Sequence, residues 1–308
     1  MAGVLCAGNI LVDILARPIS EIHWDATTWI DEVGQSLGGN GANTTYALSK
    51  LGTRVRLMGL VGADPFGEYC RSTLAAVGVD LSLVGLARES TACSVVLVRS
   101  DGARALLHRP GASREAFPQA VVFDPATVDG CTHFHLANVF GLPLMRGHAG
   151  QTLANARAAG LTTSLDTGWD ARGEWMAVAA PCLPHLDWLL INQDEARMLA
   201  GVEEPGQVAE FFRERSPANL VVKLGARGCA VFSPEGHYSV AAHEVPVVDT
   251  TGAGDCFAGA FLAALQWGAT HLEAAKFANA VGALSIQSLG STTGLLGREQ
   301  TLDWMRSQ

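Results

Sequence analysis

The sequence predicts an α/β protein built on an open, mostly parallel sheet with helices on both faces, plus a small β-sheet lid. Three observations lead there. Short apolar runs alternate with longer amphipathic stretches. Glycines close the amphipathic stretches, as they close helices. Two segments, Ala16–Leu37 and Thr91–His108, break the rhythm with alternating and β-branched residues. Strand-helix alternation requires a parallel sheet buried on both faces, whereas alternating segments suit a half-covered sheet.

Taken in order, Val4–Ala7 reads as the first strand, ending at Gly8. The apolar stretch Met1–Val12 has no basic flank and is interrupted by Asp13, so it reads as strand rather than signal peptide. Asn43–Leu51 reads as a helix closed by Gly52, Val55–Val61 as a strand, and Phe66–Val77 as a helix closed by Gly78. Phe134–Ala137, Thr162–Leu165, Trp188–Ile191 and Leu220–Val222 read as further buried strands. Leu144–Ala159, Ala171–Ala180 and Glu195–Leu199 read as the helices between them. Within the second irregular segment, Cys93–Val98 and Arg104–His108 flank Asp101-Gly102, the pattern of a β-hairpin. The two segments, about 16–37 and 91–108, are expected to form a lid; ordinary edge strands are the alternative. No repeat or linker divides the chain, so residues 1–308 read as a single domain.

Composition narrows the function classes. The 308 residues are 48% hydrophobic and 17% charged, which fits a folded rather than a disordered chain. A net charge of −9 disfavours nucleic acid and anionic membrane as partners. No apolar run reaches the roughly 20 residues of a membrane span. Seven scattered cysteines without C-x-x-C spacing argue against a disulfide framework or zinc site, and for a cytoplasmic location.

The most informative segment is Asp249-Thr250-Thr251-Gly252-Ala253-Gly254-Asp255. It follows the apolar run Val245–Val248 and precedes a helical pattern with Phe257, Phe261 and Leu265 on one face. The N–H groups of Gly252, Ala253 and Gly254 at a helix start would form an anion hole. Asp255 in the first turn would stand beside it, suited to take a proton from an attacking hydroxyl. A plain Gly-rich turn with an Asp near a helix start is the alternative. Four more loops follow strands or open helices: Gly38–Asn43, Gly59–Gly67, Asn192–Glu195 and Lys223–Gly228. In an open α/β sheet such loops gather at the carboxyl ends of the strands, where ligands bind. There is no G-x-x-x-x-G-K-[ST] motif, which excludes a P-loop.

With these motifs in this order, the chain resembles the ribokinase-like (PfkB) carbohydrate kinase family over essentially its whole length. Asp249–Asp255 and Gly38–Asn43 match that family's two signatures. The resemblance implies the ribokinase-like fold, with the two irregular segments as its β-lid. It implies ATP-dependent phosphorylation of a hydroxymethyl group on a sugar, sugar derivative or nucleoside, with ATP, Mg²⁺ and, in many members, K⁺. It gives Asp255 the role of general base, and Gly252, Ala253 and Gly254 that of anion hole. Asp13, Gly39 and Asn43 match substrate-hydroxyl positions. Asn192, Lys223, Gly225, Gly228 and Asn279 match nucleotide-binding positions. Glu195 matches a residue that organises Mg²⁺ through water, and Asp249 and the backbone of Thr251 lie near the K⁺ site. A homodimer through the lid is common in the family. Asn40 and Lys223 depart from patterns common among members, which carry Lys and Thr there, and this argues against ribose as the specific substrate.

Two other function classes compete. An NAD-dependent oxidoreductase requires G-x-G-x-x-G after the first strand, and Val4–Leu11 lacks it. A non-catalytic sugar-binding regulator on the same fold is countered by retention of the glycines and Asp255. His133 and His135 share a strand face, but without a third ligand they read as structural or as substrate contacts. Trp24 and Trp29 read as packing in the lid or a dimer interface. Cys256, beside Asp255, reads as a buried helix residue before a reactive thiol. The charged residues of Phe211–Arg215 read as a solvated helix face.

Overall fold

The period-two alternation of the buried strands sorts their side chains onto two cores. Val4, Leu57, Leu190 and Val221 enter one core, while Leu5, Leu136, Leu189, Ile191, Leu220 and Val222 enter the other. A strand buried on both sides must be apolar at nearly every position, which is why these segments were legible as short apolar runs. The computed structural model describes residues 3–100, 104–216 and 219–308.

The strands are β1 Gly3–Ala7, β2 Leu11–Arg17, β3 Glu32–Gly38, β4 Arg54–Gly62, β5 Asp80–Ala87, β6 Ala92–Val98, β7 Arg104–Arg109, β8 Cys131–Ala137, β9 Thr162–Asp166, β10 Trp188–Asn192, β11 Asn219–Lys223, β12 Cys229–Ser233 and β13 Gly236–Val240. The helices are α1 Asn40–Lys50, α2 Pro65–Ala76, α3 Pro125–Val128, α4 Ala149–Ala158, α5 Met176–Ala179, α6 Gln193–Ala200, α7 Pro205–Arg213, α8 Ala253–Gln266, α9 His271–Ser285 and α10 Arg298–Ser307. Nine strands form one sheet in the order β13-β12-β11-β10-β9-β8-β1-β4-β5, parallel from β11 to β5 and antiparallel at β11-β12-β13. Successive strands leave β1 in opposite directions, β4 on one side and β8 on the other. This is the switch point at which a crevice opens beyond the strand ends.

Four strands form the second sheet, β3-β2-β6-β7. It fits the expected lid, but it begins earlier than residue 16, because β2 starts at Leu11. Asp13 therefore belongs to β2 and not to the first strand. The chain breaks at Gly8-Asn9-Ile10 and restarts, which places Asp13 within a lid strand paired with Ser36 and Ser94. The turn expected at Asp101-Gly102 lies outside the described residues. Its flanking strands pair antiparallel, Val98 opposite Arg104.

Several boundaries moved. Ala171–Ala180 contracts to α5, and Leu144–Ala159 becomes a 3-10 turn followed by α4. The reason for the first is Asp170, whose carboxylate accepts from the amides of Arg172, Glu174 and Trp175 and holds that stretch as a loop. Strand β5 and the β12-β13 hairpin were not anticipated. Val247 and Val248, in the apolar run before the Gly-rich motif, lie exposed in irregular backbone.

Candidate active site

Five polar residues stand at the carboxyl ends of neighbouring parallel strands: Asn9 after β1, Asn138 after β8, Asp166 ending β9, Asn192 ending β10 and Lys223 ending β11. Helix α8 points its N-terminus at the same region, and the lid strand β2 brings Asp13 over it. Burial is possible for so many polar groups because each has a partner.

Asp255 lies in the first turn of α8 and is buried. Asn40 Nδ2 donates to its Oδ1 at 2.7 Å, and Asn43 Nδ2 donates to its Oδ2 at 2.9 Å. Asn138 in turn donates to Asn40 Oδ1 at 2.7 Å, and the Ser291 hydroxyl lies 2.8 Å from Asn43 Oδ1. Each amide is thus fixed at both ends, so the carboxylate has one orientation. Burial, reinforced by the Asp166 charge, pushes the Asp255 carboxyl up to about 6, against the pull of Asn43, Lys223 and Asn40.

Gly252 caps α8 with φ 73°, a left-handed conformation that a side chain would resist. A Cβ there would also meet the Ser291 Cβ at 2.4 Å. No side chain caps the helix, which leaves its positive end to the chain's own turn or to an anion. Of the three expected amides, that of Ala253 donates to the Thr250 carbonyl at 3.3 Å in this conformation.

Behind the glycines lies a charged cluster that sequence reasoning caught only in part. The Lys223 ammonium pairs with Asp166 Oδ2. A Cβ built on Gly254 would stand 3.4 Å from Lys223 Nζ, so this cation borders the Gly252–Gly254 turn. Burial pulls the Lys223 ammonium down, but the carboxylates of Asp166 and Glu195 outweigh it and hold it up, so it is charged. Burial and the Asp166 charge push the Glu195 carboxyl up. Asn192 and Glu195 form a capping box at the start of α6: Glu195 N donates to Asn192 Oδ1 at 2.9 Å, and Asn192 N donates to Glu195 Oε2 at 2.9 Å. The same four-residue pattern therefore serves the helix and aims a buried carboxylate at the strand ends. Asp166 was missed although its signal was present: a carboxylate directly follows the buried run Thr162–Leu165. Asn9 and Asn138 carried no comparable signal.

The lid contributes a polar row across all four strands. Ser36, Asp13, Ser94 and His108 are successive cross-strand neighbours. Burial pushes the Asp13 carboxyl up to about 7; Ser94 opposes this by donating to it, and the charges of Asp249 and Asp255 add to it. Gly39 precedes α1 and packs on the Asn9 backbone.

The remaining expected residues divide. Gly225 and Gly228 flank a 3-10 turn after β11, beside Lys223. Asn279 donates to the carbonyls of Val240 and Ala241, both at 3.0 Å, and so pins the chain leaving β13. Both oxygens of Asp249 are engaged: Oδ1 accepts from Thr251 N, Thr251 Oγ1 and Arg104, and Oδ2 accepts from Gly290 N. The Arg104 guanidinium stands 3.3 Å from Asp249 Oδ1. Asp166, paired with Lys223, and Glu195, bonded to Asn192 and Thr167, are carboxylates of the type Mg²⁺ takes one or two of, with water and phosphate oxygens filling its shell.

His133 and His135 are buried, hydrogen-bond to Thr162 and Ser164, and are held down to about 3 by burial, so both are neutral sheet residues. Cys256 is buried and donates to the Ser291 carbonyl, and burial pushes its thiol up. Trp24 and Trp29 do not pack in the lid of this chain; they are 91% and 88% exposed.

Comparison with known proteins agrees on one family. A model described as pfkB family carbohydrate kinase matches residues 1–296. The ATP-dependent ribose-1-phosphate kinase of Halopiger xanaduensis is 33% identical over 291 residues, covering 92% of each chain. Arabidopsis thaliana ribokinase complexed with ribose and ATP superposes with a TM-score of 0.86 at 26% identity, covering 99% of each chain. A putative ribokinase II from E. coli in complex with ATP and Mg²⁺ does so with a TM-score of 0.85 at 25% identity, covering 100% of each.

Proposed function

The chain belongs to the pfkB family of carbohydrate kinases, and we propose that it transfers the γ-phosphoryl group of ATP to a hydroxymethyl oxygen of a sugar or nucleoside bound beneath the lid. The carrying observation is the Asp255 carboxylate, buried at the start of α8 and held by two amides beside the Gly252–Gly254 turn.

In this reading Asp255 accepts the proton of the acceptor hydroxyl. The oxygen bonds to the γ-phosphorus as the bond from phosphorus to the β-phosphate oxygen breaks, releasing ADP. With its carboxyl near 6, Asp255 is ionised at neutral pH yet basic enough to share the proton in the transition state. Gly252, Ala253 and Gly254 offer amides and the helix N-terminus to the charge on the transferring group. The Ala253 amide must leave the Thr250 carbonyl to do so. Lys223 supplies a fixed positive charge on the same path. Asp166 and Glu195 would hold Mg²⁺ through water; when bound, it neutralises phosphate charge. Gly225, Gly228 and Asn279 shape the strand ends along which the nucleotide lies.

Asp13 and the polar row of the lid suit an acceptor with vicinal hydroxyls. An ionised Asp takes two donors, and Asn43 both donates and accepts. Asn40 and Asn43 would exchange their bonds to Asp255 for bonds to the sugar. The test is ADP release over a panel of ribose, ribose 1-phosphate, fructose and inosine, each with its deoxy analogue. Asp255→Asn should lower kcat by about 10²–10⁴-fold for whichever acceptor works, with folding intact. Asp13→Ala should erase the preference for acceptor over deoxy analogue. Near wild-type turnover by Asp255→Asn would remove the base from the mechanism.

A further inference from the structure

We propose that Arg104, on lid strand β7, is a positioning residue that ties the lid to the anion-hole turn. The assignment of chemistry to that turn rests on the function proposed above; the contact itself does not.

Arg104 reaches from one sheet to the other. Its Nη1 donates to Thr251 Oγ1 at 2.6 Å and to Asp249 Oδ1 at 3.3 Å, and its Nη2 donates to Thr250 Oγ1 at 2.7 Å. Three consecutive residues of the turn are gripped by one planar group from a segment 145 residues away. The Arg104 side chain is about one-third exposed, whereas that of Asp249 is 4% exposed, so the pair is sheltered on one side only. Such a pair contributes little to global stability. What it supplies is geometry, because a guanidinium presents its donors in a rigid planar fork whereas an ammonium is a point charge with freely rotating donors.

The turn has few other restraints toward the lid. Asp249 is tied to Gly290 and to Thr251, but Thr250 and Thr251 are joined to the second sheet through Arg104. They immediately precede Gly252, whose amide and left-handed backbone begin the expected anion hole. The same sheet carries Asp13 and Ser94. A sugar that settles the lid would therefore also settle the turn. Phosphoryl transfer would then depend on Arg104 without Arg104 touching either substrate.

Arg104→Ala should lower kcat about tenfold to a hundredfold, the scale expected when reacting groups are held about an ångström out of place. KM for the working acceptor and for ATP should change little, because neither is contacted. Arg104→Lys should recover part of the loss. Thr250→Val should give a smaller loss that is not additive with Arg104→Ala. A second readout needs no substrate: hydrogen exchange on the ligand-free full chain should quicken at amides 250–256 in Arg104→Ala and stay at wild-type rates in α9 and β8–β10. Wild-type kcat in Arg104→Ala, or quickened exchange spread evenly through the chain, would overturn the assignment. If wild type transfers phosphate to no acceptor of the panel, the proposed function fails, and the exchange pattern alone then decides the role of Arg104.

Discussion

At the scale of single residues, Asp255 and Asp13 are unusual for carboxylates facing a common crevice. Both are buried, and burial raises both, to about 6 and about 7. A raised carboxyl is protonated below its midpoint, so a base of this kind loses activity as pH falls. The expected profile of kcat/KM is flat above neutrality and falls below pH 6 to 7, with both groups contributing and the midpoints belonging to the pair. Asp13→Asn should leave a single acid limb, near 6. An acid limb at the ordinary carboxylate range near 4 would show that neither group is buried as found. Asp255 itself was legible in the sequence because carboxylate and glycines are contiguous. The groups that orient it were not: Asn40, Asn138 and Ser291 come from three distant segments, and only folding joins them.

At the scale of elements, the site depends on how closely α8 lies on α1. Gly259 makes that approach. A Cβ there would stand 2.8 Å from the Thr44 carbonyl oxygen and 2.8 Å from the Ala47 Cβ. In an exposed helix, Gly→Ala would gain about 0.5–1 kcal/mol. Here overpacking, at about 1–3 kcal/mol, outweighs that gain. Gly259→Ala should therefore lower the denaturation midpoint. It should also lower kcat, because α1 carries Asn40, Asn43 and Thr44, which bond to Asp255 on α8. Chemical denaturation alongside turnover checks both; a more stable variant would mean the helices can separate at no cost. The helices were predicted from apolar spacing and closing glycines, which are local. Their ends were less legible where a side chain such as Asp170 captured the backbone.

At the scale of the whole molecule, the lid sheet is unfinished. Strand β7 is an edge strand, with Leu106 59% and Leu107 62% exposed, and Val33 at the other edge is 65% exposed. An unpaired edge carrying apolar side chains is a template for another strand. A homodimer through the lid would cover it, and the exposed Trp24 and Trp29 lie in the loop joining β2 to β3. Light scattering at micromolar concentration should give the mass of two 32.3 kDa chains, and Leu107→Lys should give one. A wild type that is monomeric under these conditions would leave the lid to act alone. Among the described residues no helix is long and apolar enough to cross a membrane.

The sequence by itself determined the class of fold, the family and the position of the central motif. These depend on periodicity and on contiguous residues, Asp249–Asp255 and Gly38–Asn43, which keep their meaning when read along the chain. Only the tertiary structure decided that Asn40 and Asn43 hold Asp255, that Asp13 sits within the lid, and that Asp166 pairs with Lys223. It also decided that Arg104 crosses from lid to turn. Each of these brings together residues that are far apart in sequence, and where they are buried an unpaired charge or amide would cost several kcal/mol. Partnership is therefore compulsory in the folded state, but which partner is chosen depends on how the two sheets and α8 meet.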